Sequence, residues 1–192
     1  KSILIFPSDE PQEAEEDDTP DYPVNLFFTR EGYFKKITNQ SLRMSADQKL
    51  KEGDSINQSV TATNRSELLF FTDKCQVYKT TAADFDDTKA SVLGDYLPAK
   101  LGMDSGENPV FMAVTTDYQG YLLFAFENGK AAKVPLSAYA TKTRRRKLAN
   151  AYSDKARLVQ ALQLAEDCEV LFTSSDTRML IVHSGLIPAK VT

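Results

Sequence analysis

Four stretches of the chain share one pattern: a run of apolar residues, a polar turn, and a second short run. They read "LFFTREGYFKKIT" (residues 26–38), "LLFFTDKCQVYKTT" (68–81), "YLLFAFENGKAAKVPL" (121–136) and "VLFTSSDTRMLIVHS" (170–184). Aligning them puts Asn25, Leu68, Leu122 and Val170 at equivalent places, with spacings of 43, 54 and 48 residues. Runs this short, bounded by turn residues, predict strands, and each pattern predicts a hairpin. The turns are "TREG", "TDKC", "ENG" and "SSDT", and Asn128-Gly129 is the strongest hairpin signal among them. A further strand is predicted ahead of each later unit, at "INQSVTAT" (56–63), "VFMAVTT" (110–116) and "RLVQALQLA" (157–165). Leu, Ala and Gln in the last of these favour helix, but the repeat frame assigns it to a strand.

Each unit of about 48 residues thus offers three or four short strands, and helix is scarce. One small antiparallel sheet cannot bury both its faces, whereas stacking the next one against it does. The expected fold is therefore all-β: a propeller-like array of four-stranded antiparallel blades, about four in number, with units near 24–55, 56–95, 96–150 and 151–192. A plain β-sandwich leaves the repeat unexplained.

Ahead of the first unit, residues 7–23 ("PSDEPQEAEEDDTPDYP") hold Pro and carboxylates and almost nothing apolar. Such a stretch cannot offset its ordering entropy by burial and predicts a linker over residues 1–22. It also conceals a charge asymmetry. The formal net charge is -4, but residues 1–22 hold eight carboxylates and only Lys1. The body carries 22 basic against 19 acidic side chains, about +3, behind an arm of about -7. The arm reads either as a solvated tail or as a competitor for the body's basic surface. The two cysteines, Cys75 and Cys168, lie far apart without a C-x-x-C, which predicts reduced thiols in a cytoplasmic protein. No apolar run reaches the roughly 20 residues of a membrane helix. The first residue is Lys, which points to a fragment of a longer chain.

Enzyme constellations are nearly absent. His183 is the only histidine and sits in an apolar run, and no G-x-S-x-G, Walker A or G-x-G-x-x-G occurs. "DFDD" (84–87) and "AEDCE" (165–169) read as solvated loops, and Tyr78, Tyr121 and Tyr139 as packing residues. The basic side chains say more. "TKTRRRK" (141–147) places Lys142, Arg144, Arg145, Arg146 and Lys147 in one loop. Lys36, Lys79 and Lys133 hold the same place in three units, which predicts a stripe along one edge of the array. Lys35, Arg43, Lys49 and Lys51 add to it. A curved basic stripe is what binding to a bent phosphate backbone uses; the competing reading is that exposed strands carry Lys to blunt their edges.

At this point the sequence resembles a known family. "TREGYFKKI" is similar to the T-x-x-G-Y-x-K opening of the first blade in the C-terminal domain of bacterial DNA gyrase and topoisomerase IV A subunits. "LLFFTDKCQVYK", "YLPAKLGMDSGENPVFMAV" and "RLVQALQLAEDCEVLFTSSDTRMLIV" resemble that family's later phrases in order and spacing, and the likeness covers about residues 1–187. It implies a β-pinwheel that binds and bends duplex DNA around a basic rim without sequence preference. It also implies an accessory role: no catalytic site or cofactor in this stretch, tethered to the DNA-cleaving core of the same polypeptide. The core's tyrosine lies upstream in the family, so no tyrosine here inherits its role. ATP and Mg²⁺ would belong to the parent type IIA topoisomerase, with its ATPase B subunit.

Two departures qualify the resemblance. Gyrase carries a first-blade box reading Q-R/K-R-G-G-R/K-G, whereas "SADQKLKEGD" (45–54) keeps Gln48, Lys49, Lys51 and Gly53 but no Gly pair. Loss of that close backbone approach argues against gyrase-style negative supercoiling and towards topoisomerase IV or a divergent gyrase. Four units, where gyrase-type discs commonly have six, leave either a shortened chain or an open arc. Outside the family, the alternative is a propeller-type protein-interaction module for an acidic partner.

Overall fold

The four apolar runs form the first strands of four successive hairpins. The structure, a computed structural model, describes residues 18–141 and 146–190. Its strands in chain order are β1 (Pro23–Thr29), β2 (Tyr33–Thr38), β3 (Ile56–Thr63), β4 (Glu67–Thr72), β5 (Val77–Thr81), β6 (Asp95–Tyr96) and β7 (Pro109–Thr115). They continue with β8 (Tyr121–Phe126), β9 (Ala131–Pro135), β10 (Lys147–Leu148), β11 (Leu158–Leu164), β12 (Glu169–Thr173) and β13 (Met179–His183). They build four antiparallel sheets, in the orders β3-β1-β2-β6, β10-β5-β4-β7, β11-β8-β9 and β12-β13. These are the blades of a β-pinwheel, and "RLVQALQLA" is strand β11, as the repeat frame requires.

Each hairpin turns in the same way. The carbonyls of Thr29, Thr72, Phe126 and Ser174 accept from the amides of Gly32, Cys75, Gly129 and Thr177 at 3.0–3.2 Å. All four donors have positive φ: +87° at Gly32, +56° at Cys75, +74° at Gly129 and +65° at Thr177. Glycine adopts this conformation without steric cost, while a β-branched residue is strained there. Replacing Thr177 by glycine is expected to stabilise the fourth hairpin by about 0.5–1 kcal/mol, read as slower amide exchange along β12 and β13. After the second strand of every hairpin the chain makes one short helix, starting at Asn39, Ala82, Leu136 and Ser184. These starts keep the offsets of the sequence alignment.

The connection between hairpins departs from the sequence expectation. The strands at 56–63, 109–115 and 158–164 pair with the hairpin behind them, not the one ahead: β3 with β1, β7 with β4, and β11 with β8. The outermost strand of a blade comes from still further along the chain, β6 pairing β2 and β10 pairing β5. Neighbouring blades are therefore laced together by exchanged segments.

Side-chain alternation explains the apolar runs. In "LLFF", Leu68 and Phe70 face the first blade and join a cluster with Leu26, Phe28 and Phe34, while Leu69 and Phe71 face the third and join Leu122, Phe124 and Tyr139. A strand buried on both faces has no polar alternation to show. The third contact is smaller, with Leu123 and Leu164 against Val170. Beyond it the outward face of the fourth hairpin is open, with Leu171, Met179 and Ile181 56–71% exposed.

Candidate nucleic-acid interface

The three lysines that recur on the second strand do hold one place in three blades, opposite Leu26, Leu69 and Leu123. That place is not an exposed edge. Lys36 and Lys133 are 3% and 4% exposed, and Lys79 is half-buried. Lys36 and Lys133 reach the turn that leads into the next blade, at Asn64 and Asp167, and Lys79 reaches the segment that follows β9. Lys36 donates to Asn64 Oδ1 at 2.7 Å and pairs with Asp87 at 3.2 Å. Lys79 donates to the Tyr139 carbonyl at 2.9 Å and to Thr141 Oγ1 at 3.1 Å. Lys133 bonds Asp167 and donates to the Ser184 carbonyl at 3.2 Å. Every time an aromatic ring closes the site: Tyr22 at 5.8 Å, Tyr118 at 5.1 Å and Tyr121 at 4.2 Å. The repeat therefore encodes a latch between blades, and the predicted stripe is corrected accordingly. At Lys36 and Lys133 the ammonium is buried and engaged by protein acceptors, while Lys79 is half-buried with two acceptors for its three donors. The fourth hairpin has Ile181 at this place.

The latch has an acid-sensitive side. Hydrogen bonds from Lys133 and Ser184 hold the Asp167 carboxyl below the usual carboxylate range. A depressed folded pKa contributes stability above the unfolded value of roughly 4, which is lost as pH falls through the lower folded value. Lys133→Met is expected to flatten this dependence, so that thermal midpoints fall less steeply between pH 5 and pH 2 than those of the unaltered chain. The same substitution removes the ammonium's bonds to Asp167 and to the Ser184 carbonyl, which keeps only the Ile187 amide at 3.0 Å, and should cost about 1–2 kcal/mol at neutral pH.

Lys35, the other cation of "YFKKI", is also turned inward. It is 1% exposed, and its Nζ donates to the carbonyls of Lys49 (3.0 Å), Ala90 (3.2 Å) and Val92 (3.1 Å). Burial lowers its pKa. The remaining sequence candidates are on the surface. Arg43 lies exposed in the last turn of the helix Asn39–Met44, and Lys49 and Lys51 lie exposed on the loop before β3. Lys51 pairs with Glu31 at 2.6 Å, and that carboxylate raises its pKa. Arg146 and Lys147 are exposed; Lys147 pairs with Asp104 at 2.8 Å and lies 5.4 Å from the Tyr78 ring centre. Lys142, Arg144 and Arg145 fall outside the described residues.

Two surface cations that the sequence pattern does not single out, Lys89 and Lys190, lie beside the latch, as do the predicted Arg146 and Lys147. Three segments run along the outermost hairpin strands. Thr88 donates to the Lys36 carbonyl at 2.8 Å, Lys79 to the Arg146 carbonyl at 2.7 Å, and Lys190 to the Lys133 carbonyl at 2.8 Å. Exposed cations sit at or next to each junction: Lys89 on the first blade, Arg146 and Lys147 on the second, Lys190 on the third. The recurring basic position is therefore on the returning segment, one strand outward from where the repeat suggested. No sequence period announces it, because the returning segments belong to later units and differ in length.

Three of the "DFDD" and "AEDCE" carboxylates, Asp84, Asp87 and Asp167, bond to the scaffold. Asp84 accepts from Thr80 Oγ1 at 2.7 Å and the Thr81 amide at 3.0 Å, and Asp87 accepts from the Tyr22 hydroxyl at 2.9 Å. Among the described residues no three His, Cys, Asp or Glu side chains are placed to hold a metal. No described helix is long and apolar enough to cross a membrane.

No protein-family model matches the chain. Among curated proteins it is 30% identical over 135 residues to the DNA gyrase A protein of Streptomyces coelicolor, covering 66% of this chain and 15% of that one. It is 33% identical over 88 residues to the DNA gyrase A protein of Mycoplasma pneumoniae, covering 45% of this chain and 10% of that one. Its homologues are DNA gyrase A subunits. The solved gyrase A C-terminal domain superposes with a TM-score of 0.58 at 15% identity, covering 88% of this chain and 57% of that one. The topoisomerase IV C-terminal domain does so with a TM-score of 0.74 at 20% identity, covering 90% and 55%. The E. coli ParC C-terminal domain gives 0.65 at 18%, covering 88% and 68%. The pinwheel of the gyrase A and topoisomerase IV C-terminal domains is thus the fold of this chain, which spans a small part of the length of its curated relatives.

Proposed function

We propose that this pinwheel binds duplex DNA along its outer edge, as an accessory domain within the A subunit of a type IIA topoisomerase. The observation that supports it is the exposed cation beside the outer strand of three successive blades. Lys89, Arg146, Lys147 and Lys190 would contact phosphates, joined by Lys49, Lys51, Arg43 and the neighbouring Lys142, Arg144 and Arg145. Backbone contact of this kind carries no sequence preference, and a rim that curves from blade to blade favours bent DNA. On this reading the domain performs no chemistry itself. DNA cleavage would lie in the core of the same polypeptide, and ATP and Mg²⁺ would serve the parent enzyme with its B subunit in the cytoplasm.

The test is a titration of random-sequence duplex at several salt concentrations. Neutralising four to six phosphates predicts a slope of log K against log salt of about -4 to -5. The pair Arg146→Glu and Lys147→Glu should weaken binding to all sequences alike and reduce the slope by about 2. Removing residues 1–17, which spares the contacts of Pro20 and Tyr22 with the first blade, should strengthen retardation if the acidic arm competes for the rim. A chain that retards no duplex in either form would instead favour a protein-interaction module.

A further inference from the structure

The first blade carries a buried positive charge with no carboxylate partner among the described residues. Lys35 projects from β2, and its ammonium donates to three main-chain carbonyls, those of Lys49, Ala90 and Val92. An ammonium has three donors, so this site is saturated. The acceptors come from two loops about 40 residues apart in sequence: the one that precedes β3, and the one that precedes β6. The loops are also joined directly, since the Lys49 amide donates to the Ala90 carbonyl at 2.8 Å. Both carry exposed cations, Lys49 and Lys51 on one and Lys89 on the other.

Desolvating a lone cation for the sake of carbonyl dipoles is costly, and an apolar side chain at this place of a strand buried on both faces would avoid that cost. What a lysine supplies in exchange is a tie between two irregular segments that otherwise meet each other at the Lys49 amide and the Ala90 carbonyl. We infer that Lys35 is a positioning residue: it brings Lys49 and Lys89 onto one patch of the rim, and that patch is a phosphate-binding site of the first blade. Lys35 itself touches no ligand. The inference rests on the DNA reading above, which already counts Lys49 and Lys89 among the contacts; it joins those two into one site and moves Lys35 from contact to support.

The experiment uses the 192-residue chain and a random 30-base-pair duplex as probe. Lys35→Met should speed amide exchange in residues 46–54 and 88–93 while leaving β4, β5 and β7 protected. It should lower the salt slope by about 2, as Lys49→Ala with Lys89→Ala does. Adding Lys35→Met to that pair should lower affinity no further. Lys35→Gln, which keeps an amide donor, should recover part of the loss, and it replaces Lys35→Met if the methionine variant fails to fold. Unchanged exchange in the two loops would overturn the positioning role. Additive losses in the combined variant would overturn the link between Lys35 and the patch. If the unaltered chain shows no salt-dependent binding, the DNA reading and the phosphate site fail together, while the exchange measurement still decides whether Lys35 ties the loops.

Discussion

Phe71→Ala is expected to destabilise the domain by about 4 kcal/mol and to split its unfolding into two transitions. Phe71 is fully buried at the contact between the second and third blades. Its ring meets Tyr139 at 5.2 Å, Phe124 at 5.5 Å and Phe111 at 6.2 Å. Truncating it removes the largest side chain that β4 contributes to that contact and leaves a cavity lined by three aromatic rings. In a stacked array each repeat is stabilised mainly by its neighbours, so one weakened contact can decouple the blades on either side. The first and second blades keep their own cluster, in which Phe70 meets Phe34 at 5.5 Å and Phe28 at 5.9 Å. The third blade has no comparable support on its far side, because its contact with the fourth hairpin is small. Urea unfolding followed by amide exchange should therefore show β8 and β9 released before β1 and β2. A single transition shifted by less than about 1.5 kcal/mol would mean that the contact collapses around the missing ring.

That contact was largely legible in the sequence. "LLFF" and "LLF" recur in register, and in both strands the adjacent apolar residues are buried on both faces. The hairpin turns were legible as well, although only Gly32 and Gly129 advertised the positive φ that Cys75 and Thr177 also adopt. Strand exchange was not. Nothing in "INQSVTAT" says whether it pairs forwards or backwards, since both choices bury the same alternate side chains and differ only in how the connections close.

The lysines misled for a related reason. Recurrence at one place in a repeat is equally expected of a surface stripe and of a shared internal contact. Deciding between them needs the neighbours: Phe34 and Ile37 flank Lys35 and Lys36, and all four are buried. A long aliphatic stem lets lysine pass through such a layer and place its charge at the joint between blades. The cations left for the rim sit on connecting segments, where no period marks them.

Gly94→Ala is the second substitution expected to have a large effect, about 3–4 kcal/mol. Gly94 lies at φ +88°, and a Cβ added there would fall 2.2 Å from the Phe34 carbonyl oxygen and 2.4 Å from Lys35 Cγ. The nearer neighbour is main chain, so relief requires moving β2 or withdrawing β6, which pairs with it at Phe34 and Asp95. Gly53 supplies the control. Its φ is +80°, with nothing within 4 Å of the added Cβ. Gly53→Ala should therefore show the conformational penalty alone, about 1–2 kcal/mol. The excess at Gly94 measures the close approach. It should appear together with faster exchange at the amides of residues 89–95, because displacing Lys35 also loosens its hold on the Ala90 and Val92 carbonyls. Equal losses in the two alanine variants would show that the backbone at Gly94 can yield without disturbing β2. In that case the outer edge of the first blade is held by the Lys35 ammonium rather than by the pairing of β6 with β2.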